Sequence, residues 1–271
     1  MANEELLRVE NLAGGYGGQM LFSQLRFRVN EGEFLGILGK NGSGKSTLLR
    51  LLAGLKKPMQ GEISLMGRRL KSLTRKELGR LIAFLPQETY LPFHFTVEEV
   101  LWMGRYPHRS GLFPGISFRD REVFDEVVHF LHLENLLKRS ILTLSGGQRQ
   151  RVMVGRLFMQ EPRLILLDEP MNHLDLHYQM EILTLLNQWR TEKRAAIIGV
   201  LHDLNVTSLF SDQVLLLDSN RRYMIGPTAE MMKKERLEQL YEISLASLPH
   251  PEGGKAQFLL IPPHSGRNER D

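Results

Sequence analysis

The stretch Gly39-Lys40-Asn41-Gly42-Ser43-Gly44-Lys45-Ser46-Thr47 fits G-x-x-x-x-G-K-[ST], and it stands where a phosphate-binding loop must stand. The apolar run Phe34 to Leu38 precedes it as a buried strand. Lys45 to Ala53 follow at helical spacing, with Gly54 placed to end the helix. Glycines at 39, 42 and 44 let successive backbone N–H groups curl around β- and γ-phosphates, and the helix start adds its positive end. In this pattern Lys45 neutralises phosphate charge and Ser46 ligates Mg²⁺, while Asn41, Ser43 and Thr47 complete the candidate nucleotide-binding stretch.

Two further elements could serve the same chemistry. Leu164 to Leu167 read as a buried strand that ends in the carboxylates Asp168 and Glu169, and ligands of α/β sheets bind at strand ends. Asp168 is the candidate Mg²⁺ ligand. Glu169, one residue on, can face the γ-phosphate and act as general base toward an attacking water. An acidic pair after a strand more often caps a helix, and the loop at Gly39 is what turns the reading toward function. Ser145-Gly146-Gly147-Gln148 precedes a helical pattern, Arg149 to Gln160, and offers a second anion-friendly helix start without a lysine.

These residues need a scaffold, and hydrophobic periodicity supplies one. Leu6 to Leu12 and Leu25 to Val29 alternate apolar with polar residues around Gly14, Gly15, Gly17 and Gly18, predicting antiparallel strands joined by a glycine-rich turn. Short apolar runs at Leu81–Leu85, Leu164–Leu167, Ala196–Leu201 and Val214–Leu217 alternate with helical patterns, predicting a parallel sheet with crossover helices. From Gln87 to Leu144 strand signals vanish. There Thr96 with Glu99 reads as a capping box, and Val123, Phe124, Val127, Val128 and Leu131 mark an amphipathic helix. Beyond Pro251 one strand, Gln257 to Ile261, is expected before a frayed polar tail from Pro262.

Composition narrows the classes. With 271 residues, 42% of them apolar and 24% charged, the chain is globular rather than disordered or collagen-like. Zero cysteines exclude disulfides, thiol catalysis, iron–sulfur clusters and cysteine-ligated zinc, and suit a reducing compartment. The first residues, MANEELLRVEN, lack the apolar core of a secretory signal, and no apolar run nears the roughly 20 residues of a membrane span. The 35 Lys+Arg against 31 Asp+Glu leave a charge of +4 without any run of five basic residues, so nucleic acid is not expected as a partner. His173 and His177 have a metal-compatible spacing but no evident third ligand.

As an ordered set, the three motifs resemble those of the ATPase subunits of ATP-binding cassette (ABC) transporters, over roughly residues 6–230. The resemblance implies an α/β fold: a P-loop NTPase core with an N-terminal antiparallel β-layer and an inserted α-helical subdomain. The ATPase domain would span 1–250, with the insert at about 88–144, and 251–271 would form a partly disordered extension. It also implies a head-to-tail homodimer in which Ser145 to Gln148 complete the partner's ATP site, giving two composite sites. By the same resemblance Tyr16 is the aromatic stacking on adenine, Gln87 the glutamine contacting Mg²⁺ and water, and Asp175 part of the dimer-contact loop. His202 is the switch histidine reaching the γ-phosphate. Simpler roles compete: Tyr16 as packing for the β-layer, Gln87 as a turn cap, His202 as a structural histidine. Met171 departs from the Thr or Ser usual after the Walker B proline, and Gly155 sits within a helix, where it costs about 1 kcal/mol relative to Ala.

Two strings, Gly104-Arg105-Tyr106-Pro107-His108 and Leu201-His202-Asp203-Leu204-Asn205, resemble those of the iron-siderophore, heme and cobalamin importer ATPases. That subgroup implies a prokaryotic ATPase on the cytoplasmic face of the inner membrane, working with integral-membrane permease subunits and an extracytoplasmic binding protein. Tyr90, Phe93, Phe95, Trp102 and Tyr106 offer an aromatic cluster for docking the permease, or else the insert's own core. The alternative is a soluble ABC-type ATPase of DNA repair or translation, without a permease.

Overall fold

In the computed structural model of the chain the described residues are 4–87, 94–109, 115–172, 174–218, 220–250 and 253–262. Tyr90, Phe93, His173 and the tail beyond Pro262 lie outside them.

The alternating N-terminal residues form β1 (Glu5–Tyr16) and β2 (Gln19–Asn30), paired antiparallel with Leu7 opposite Val29 and Leu12 opposite Leu25. The turn itself is only Gly17 and Gly18, both with positive φ. Gly14 and Gly15, expected in that turn, instead pair within the ladder with Phe22 and Met20. Their role is close approach: a Cβ on Gly15 would fall 1.8 Å from the Gln19 carbonyl oxygen. Two strands that the sequence pattern did not announce, β4 (Gln60–Leu65) and β5 (Arg68–Arg69), complete this sheet in the order β2-β1-β4-β5.

The continuous apolar runs form the central sheet. Parallel strands β3 (Phe34–Gly39), β6 (Ile82–Leu85), β7 (Leu164–Asp168), β8 (Ala196–Val200) and β9 (Gln213–Leu217) are joined by an antiparallel edge, β10 (Tyr223–Pro227). The order is β10-β9-β3-β8-β7-β6, so β3 and β7 flank β8 and deliver the residues after them to one end of the sheet. Helix α1 (Lys45–Leu52) buries Leu48, Leu49, Leu51 and Leu52 in the core that the two sheets share, and α2 (Arg75–Leu81) leads into β6.

Between β6 and β7 lie α3 (Val97–Met103), α4 (Phe118–Phe130) and α5 (Gly146–Phe158). Thr96 and Glu99 form the expected capping box, and Val123, Phe124, Val127 and Val128 are buried against α3, α5 and the long helix α6 (Leu176–Lys193). Gly155 is explained by this packing, since a Cβ there would stand 2.8 Å from Leu101 and 2.9 Å from Leu131. The string Gly104 to His108 is the joint of the insert. Arg105, 3% exposed, binds Asp120 at 2.7 Å, Glu161 at 2.9 Å and the Met159 carbonyl at 2.8 Å. Pro107 packs on Gly79 and accepts from Arg80, while His108 meets the Gln160 carbonyl.

The C-terminal elements are α7 (Leu204–Phe210), α8 (Thr228–Met231), α9 (Lys234–Tyr241), β11 (Ser244–Pro249) and β12 (Ala256–Ile261). β12, the strand expected beyond Pro251, pairs antiparallel with β11, and Leu245 and Phe258 join a third core with Leu38, Leu216, Leu237 and Leu240. Asn205 clamps this hairpin to α7: its amide donates to the Phe258 carbonyl at 3.2 Å and accepts the Phe258 N–H at 2.7 Å.

Candidate functional site

The turn after β3 is shaped by glycine. Gly42 (φ 81°) and Gly44 (φ 100°) are left-handed, and a Cβ on Gly39 would come within 2.3 Å of the Leu217 carbonyl oxygen. Gly44 is the N-cap of α1 and supplies no side-chain cap, and the first turn carries no acid. The helix therefore keeps its starting N–H groups for an anion. Ser43, 2% exposed, has a hydroxyl with no hydrogen-bond partner, the kind of buried orphan that a phosphate oxygen satisfies. The Lys45 ammonium lies buried under the loop, donating to the carbonyls of Gly39 at 2.7 Å and Lys40 at 3.0 Å. Burial lowers its pKa, opposed by the charges of Glu169 and Asp168.

The end of β7 meets this loop. Asp168 Oδ1 accepts from the Ser46 hydroxyl at 3.0 Å, which sets one carboxylate and one hydroxyl side by side, hard oxygen donors of the kind Mg²⁺ takes. Burial pushes the Asp168 pKa up, the Ser46 bond pulls it down, and neighbouring Glu169 raises it again. An added cation would favour its charged form.

Glu169 follows with a left-handed backbone (φ 53°), so its side chain departs from the strand direction. Its Oε1 is 2.6 Å from His202 Nε2, and its Oε2 accepts from Gln87 at 2.7 Å and from Asn172 at 2.5 Å. Gln87 and His202 thus converge on one carboxylate from the ends of β6 and β8. Asn172 belongs to the same group and escaped the sequence reading; its spacing of three residues from Glu169, suited to a local turn, was the available signal.

Ser145 caps α5: its hydroxyl accepts the Gln148 N–H, and Gln148 Oε1 accepts the Ser145 N–H. The helix therefore begins at Gly146, not Arg149 as the low helix propensity of two glycines suggests. Ser145 and Gly146 are exposed. Gly147 is buried, and a Cβ there would meet the Tyr178 ring at 2.3 Å. Gln150 donates to the Pro170 carbonyl at 2.6 Å, which couples α5 to the loop after Glu169. In that loop Met171 packs partly buried on the helical core, and Asp175 caps α6 by accepting the Tyr178 N–H at 3.0 Å.

Tyr16 is 75% exposed at the end of β1, so it does not pack the β-layer; Lys56 Nζ lies 5.0 Å from its ring centre. The aromatic cluster of the insert divides. Trp102 stacks on Phe124 at 4.6 Å and Phe95 packs on the core, whereas Tyr106 is 77% exposed. Among the described residues no group of three or more His, Cys, Asp and Glu is set to hold a metal, and no helix is long and apolar enough to cross a membrane.

Comparison with known proteins points the same way. Residues 22–172 match the ABC transporter family. The hemin import ATP-binding protein HmuV of Pseudomonas aeruginosa is 37% identical over 254 residues, 92% of this chain and 97% of that protein. The ferric enterobactin transport ATP-binding protein FepC of Escherichia coli is 35% identical over 248 residues, 92% and 91% of the two chains. The ABC transporter ATP-binding protein YvrA of Bacillus subtilis is 35% identical over 94% of this chain, which spans only 58% of that protein's length. Among solved structures, a chain of an ABC transporter assigned to the metal-chelate type, in an inward-facing conformation, superposes with a TM-score of 0.83. That chain is 32% identical, and the match covers 95% of this chain and 98% of that one. With a phosphate cradle ahead of α1, a carboxylate pair closing β7 and a serine-capped α5 on one scaffold, the chain belongs to the ABC transporter family as an ATP-binding, ATP-hydrolysing subunit.

Proposed function

We propose that this ATPase powers import of a metal chelate (iron–siderophore, heme or cobalamin) through separate integral-membrane permease subunits, with an extracytoplasmic binding protein delivering the cargo. The names of HmuV and FepC support the cargo class. They favour transport over the soluble repair or translation alternative. The chain would then work as a peripheral protein on the cytoplasmic face of the membrane. The observation that carries the ATPase chemistry is the placement of Glu169 between Gln87 and His202, next to the Asp168–Ser46 pair.

On this reading Tyr16 stacks on adenine, and the N–H groups of residues 41–47 receive the triphosphate, with Lys45 transferring its donors from the Gly39 and Lys40 carbonyls to phosphate oxygens. Ser46 and Asp168, with Gln87 alongside, would hold Mg²⁺, which supplies charge neutralisation on the β- and γ-phosphates when bound. Glu169 accepts the proton of the attacking water, and His202 leaves Glu169 for the γ-phosphate as the site closes. Ser145, Gly146, Gly147 and Gln148 serve the ATP of a second copy in a homodimer with two composite sites, and Asp175 lies in the facing loop.

The experiment is reconstitution of the full chain with candidate permease subunits, in vesicles supplied with a binding protein and iron–siderophore, heme or cobalamin in turn. ATP-dependent accumulation of one of these chelates is expected. ATP hydrolysis without accumulation of any of them would overturn the cargo assignment.

A further inference from the structure

The two carbonyls that hold the Lys45 ammonium belong to Gly39 and Lys40, and both residues are gripped from their other side by the end of α9. The Tyr241 hydroxyl accepts the Gly39 N–H at 3.2 Å, and Lys40 Nζ pairs with Glu242 Oε1 at 2.5 Å. The helix is itself seated on the strand that feeds the loop, because Leu237 and Leu240 pack in one core with Leu38. Its last turn closes on Glu242, whose N–H bonds the Glu238 carbonyl and whose backbone is left-handed (φ 57°). Burial keeps the Tyr241 phenol neutral, its pKa pushed up to about 12, so it serves as a fixed acceptor across the working pH range.

We infer that Tyr241 and Glu242 are positioning residues of the nucleotide site, fixing the first two residues of the phosphate loop and so setting its affinity for ATP. The inference rests on the reading of residues 39–47 as the phosphate cradle. Neither residue reaches the reacting atoms. They act through the backbone of Gly39 and the side chain of Lys40, so they alter how well the loop is preorganised for the triphosphate rather than the hydrolytic step. A contribution shared by ground state and transition state moves KM and leaves kcat alone.

The test measures binding of a fluorescent ATP analogue and steady-state hydrolysis for the full chain. Tyr241→Phe removes the acceptor of the Gly39 N–H and is expected to raise KM for ATP about three- to tenfold with kcat within about twofold. Glu242→Gln is expected to raise KM about two- to fivefold at low salt, with the difference shrinking at high salt. The exchange Lys40→Glu with Glu242→Lys should recover part of the affinity that each single change loses. Unchanged KM and binding in folded Glu242→Gln and Tyr241→Phe proteins, or a fall in kcat alone, would overturn the inference. If Tyr241→Phe does not fold, the surface pair and its exchange decide. A wild-type chain that itself fails to bind the analogue counts against the cradle reading instead.

Discussion

Glu169 Oε1 stands 2.6 Å from Nε2 of His202, so the candidate base and the candidate switch residue are bonded to each other across the ends of β7 and β8. The other oxygen of Glu169 is taken by Gln87 and Asn172. Its backbone sits in a left-handed conformation that costs a non-glycine residue roughly 1–2 kcal/mol. Three side chains and a strained turn hold this carboxylate in place, which is how a fold fixes a base before its substrate arrives.

Glu169→Gln keeps the shape of the side chain and removes the base. Hydrolysis should fall about 10²- to 10⁴-fold, while ATP binding survives or tightens because a negative charge next to the triphosphate is gone. Size-exclusion chromatography with Mg²⁺ and ATP should show a persistent dimer, and Lys45→Ala should bind nucleotide poorly and stay apart. Near-normal turnover by Glu169→Gln would move the role to another group, with His202 next in line.

The shared-site reading is tested by mixing. A Lys45→Ala chain and a Ser145→Arg chain are each expected to be inactive alone, whereas their mixture forms one intact composite site out of two. Recovery of ATPase activity on mixing is the expected outcome, and none at all would contradict assembly of the site from two copies.

The joint of the insert predicts stability. Burial works to raise the Asp120 pKa, but the hydrogen bonds from Ser117 and the pairing with Arg105 outweigh it and bring it down to about 2. Asp120→Ala leaves the buried Arg105 guanidinium short of a partner and removes the carboxylate half of the capping box that Ser117 opens on α4, a loss of about 3 kcal/mol in urea unfolding at neutral pH. The folded pKa lies below the ordinary carboxylate value of about 3.9, so the stabilisation is complete above that value and is lost as pH falls toward 2. The gap between wild type and Asp120→Ala should therefore narrow across that acid window.

Trp102 and Tyr106 no longer form one docking hypothesis. Trp102→Ala removes a ring stacked on Phe124 and should lower the melting temperature of the insert. Tyr106→Ala, at a ring 77% exposed, should leave stability unchanged and weaken co-purification with the permease. Normal co-purification and transport by Tyr106→Ala would take this ring out of the docking surface.

The sequence reads well wherever one interaction dominates. Phe34–Leu38, Leu164–Leu167, Ala196–Leu201 and Val214–Leu217 are buried on both faces of the central sheet, so their continuous apolar character announces them. Thr96 with Glu99 is a local device and is visible locally. What escaped depends on partners distant in the chain. Gly14 and Gly15 read as a turn because glycine signals turns, yet the nearby bodies of Phe22 and Gln19 are what require them. β11 carries Ser, Ala and Pro, and it becomes a strand through pairing with β12. Likewise the position of Asp168 and Glu169 was legible from a strand end, whereas the contact of Tyr241 with Gly39 spans 202 residues and leaves no local mark.

Arg105 also has a mechanical consequence. By gripping Asp120 on α4 together with Met159 and Glu161 just past the end of α5, it fastens the insert to the foot of a rod whose other tip is the Ser145 loop. Thirteen residues at about 1.5 Å each make that rod roughly 20 Å long. A displacement of the insert would reach the foot of that rod through these buried bonds, and at the far tip it would change how Ser145 meets whatever faces it.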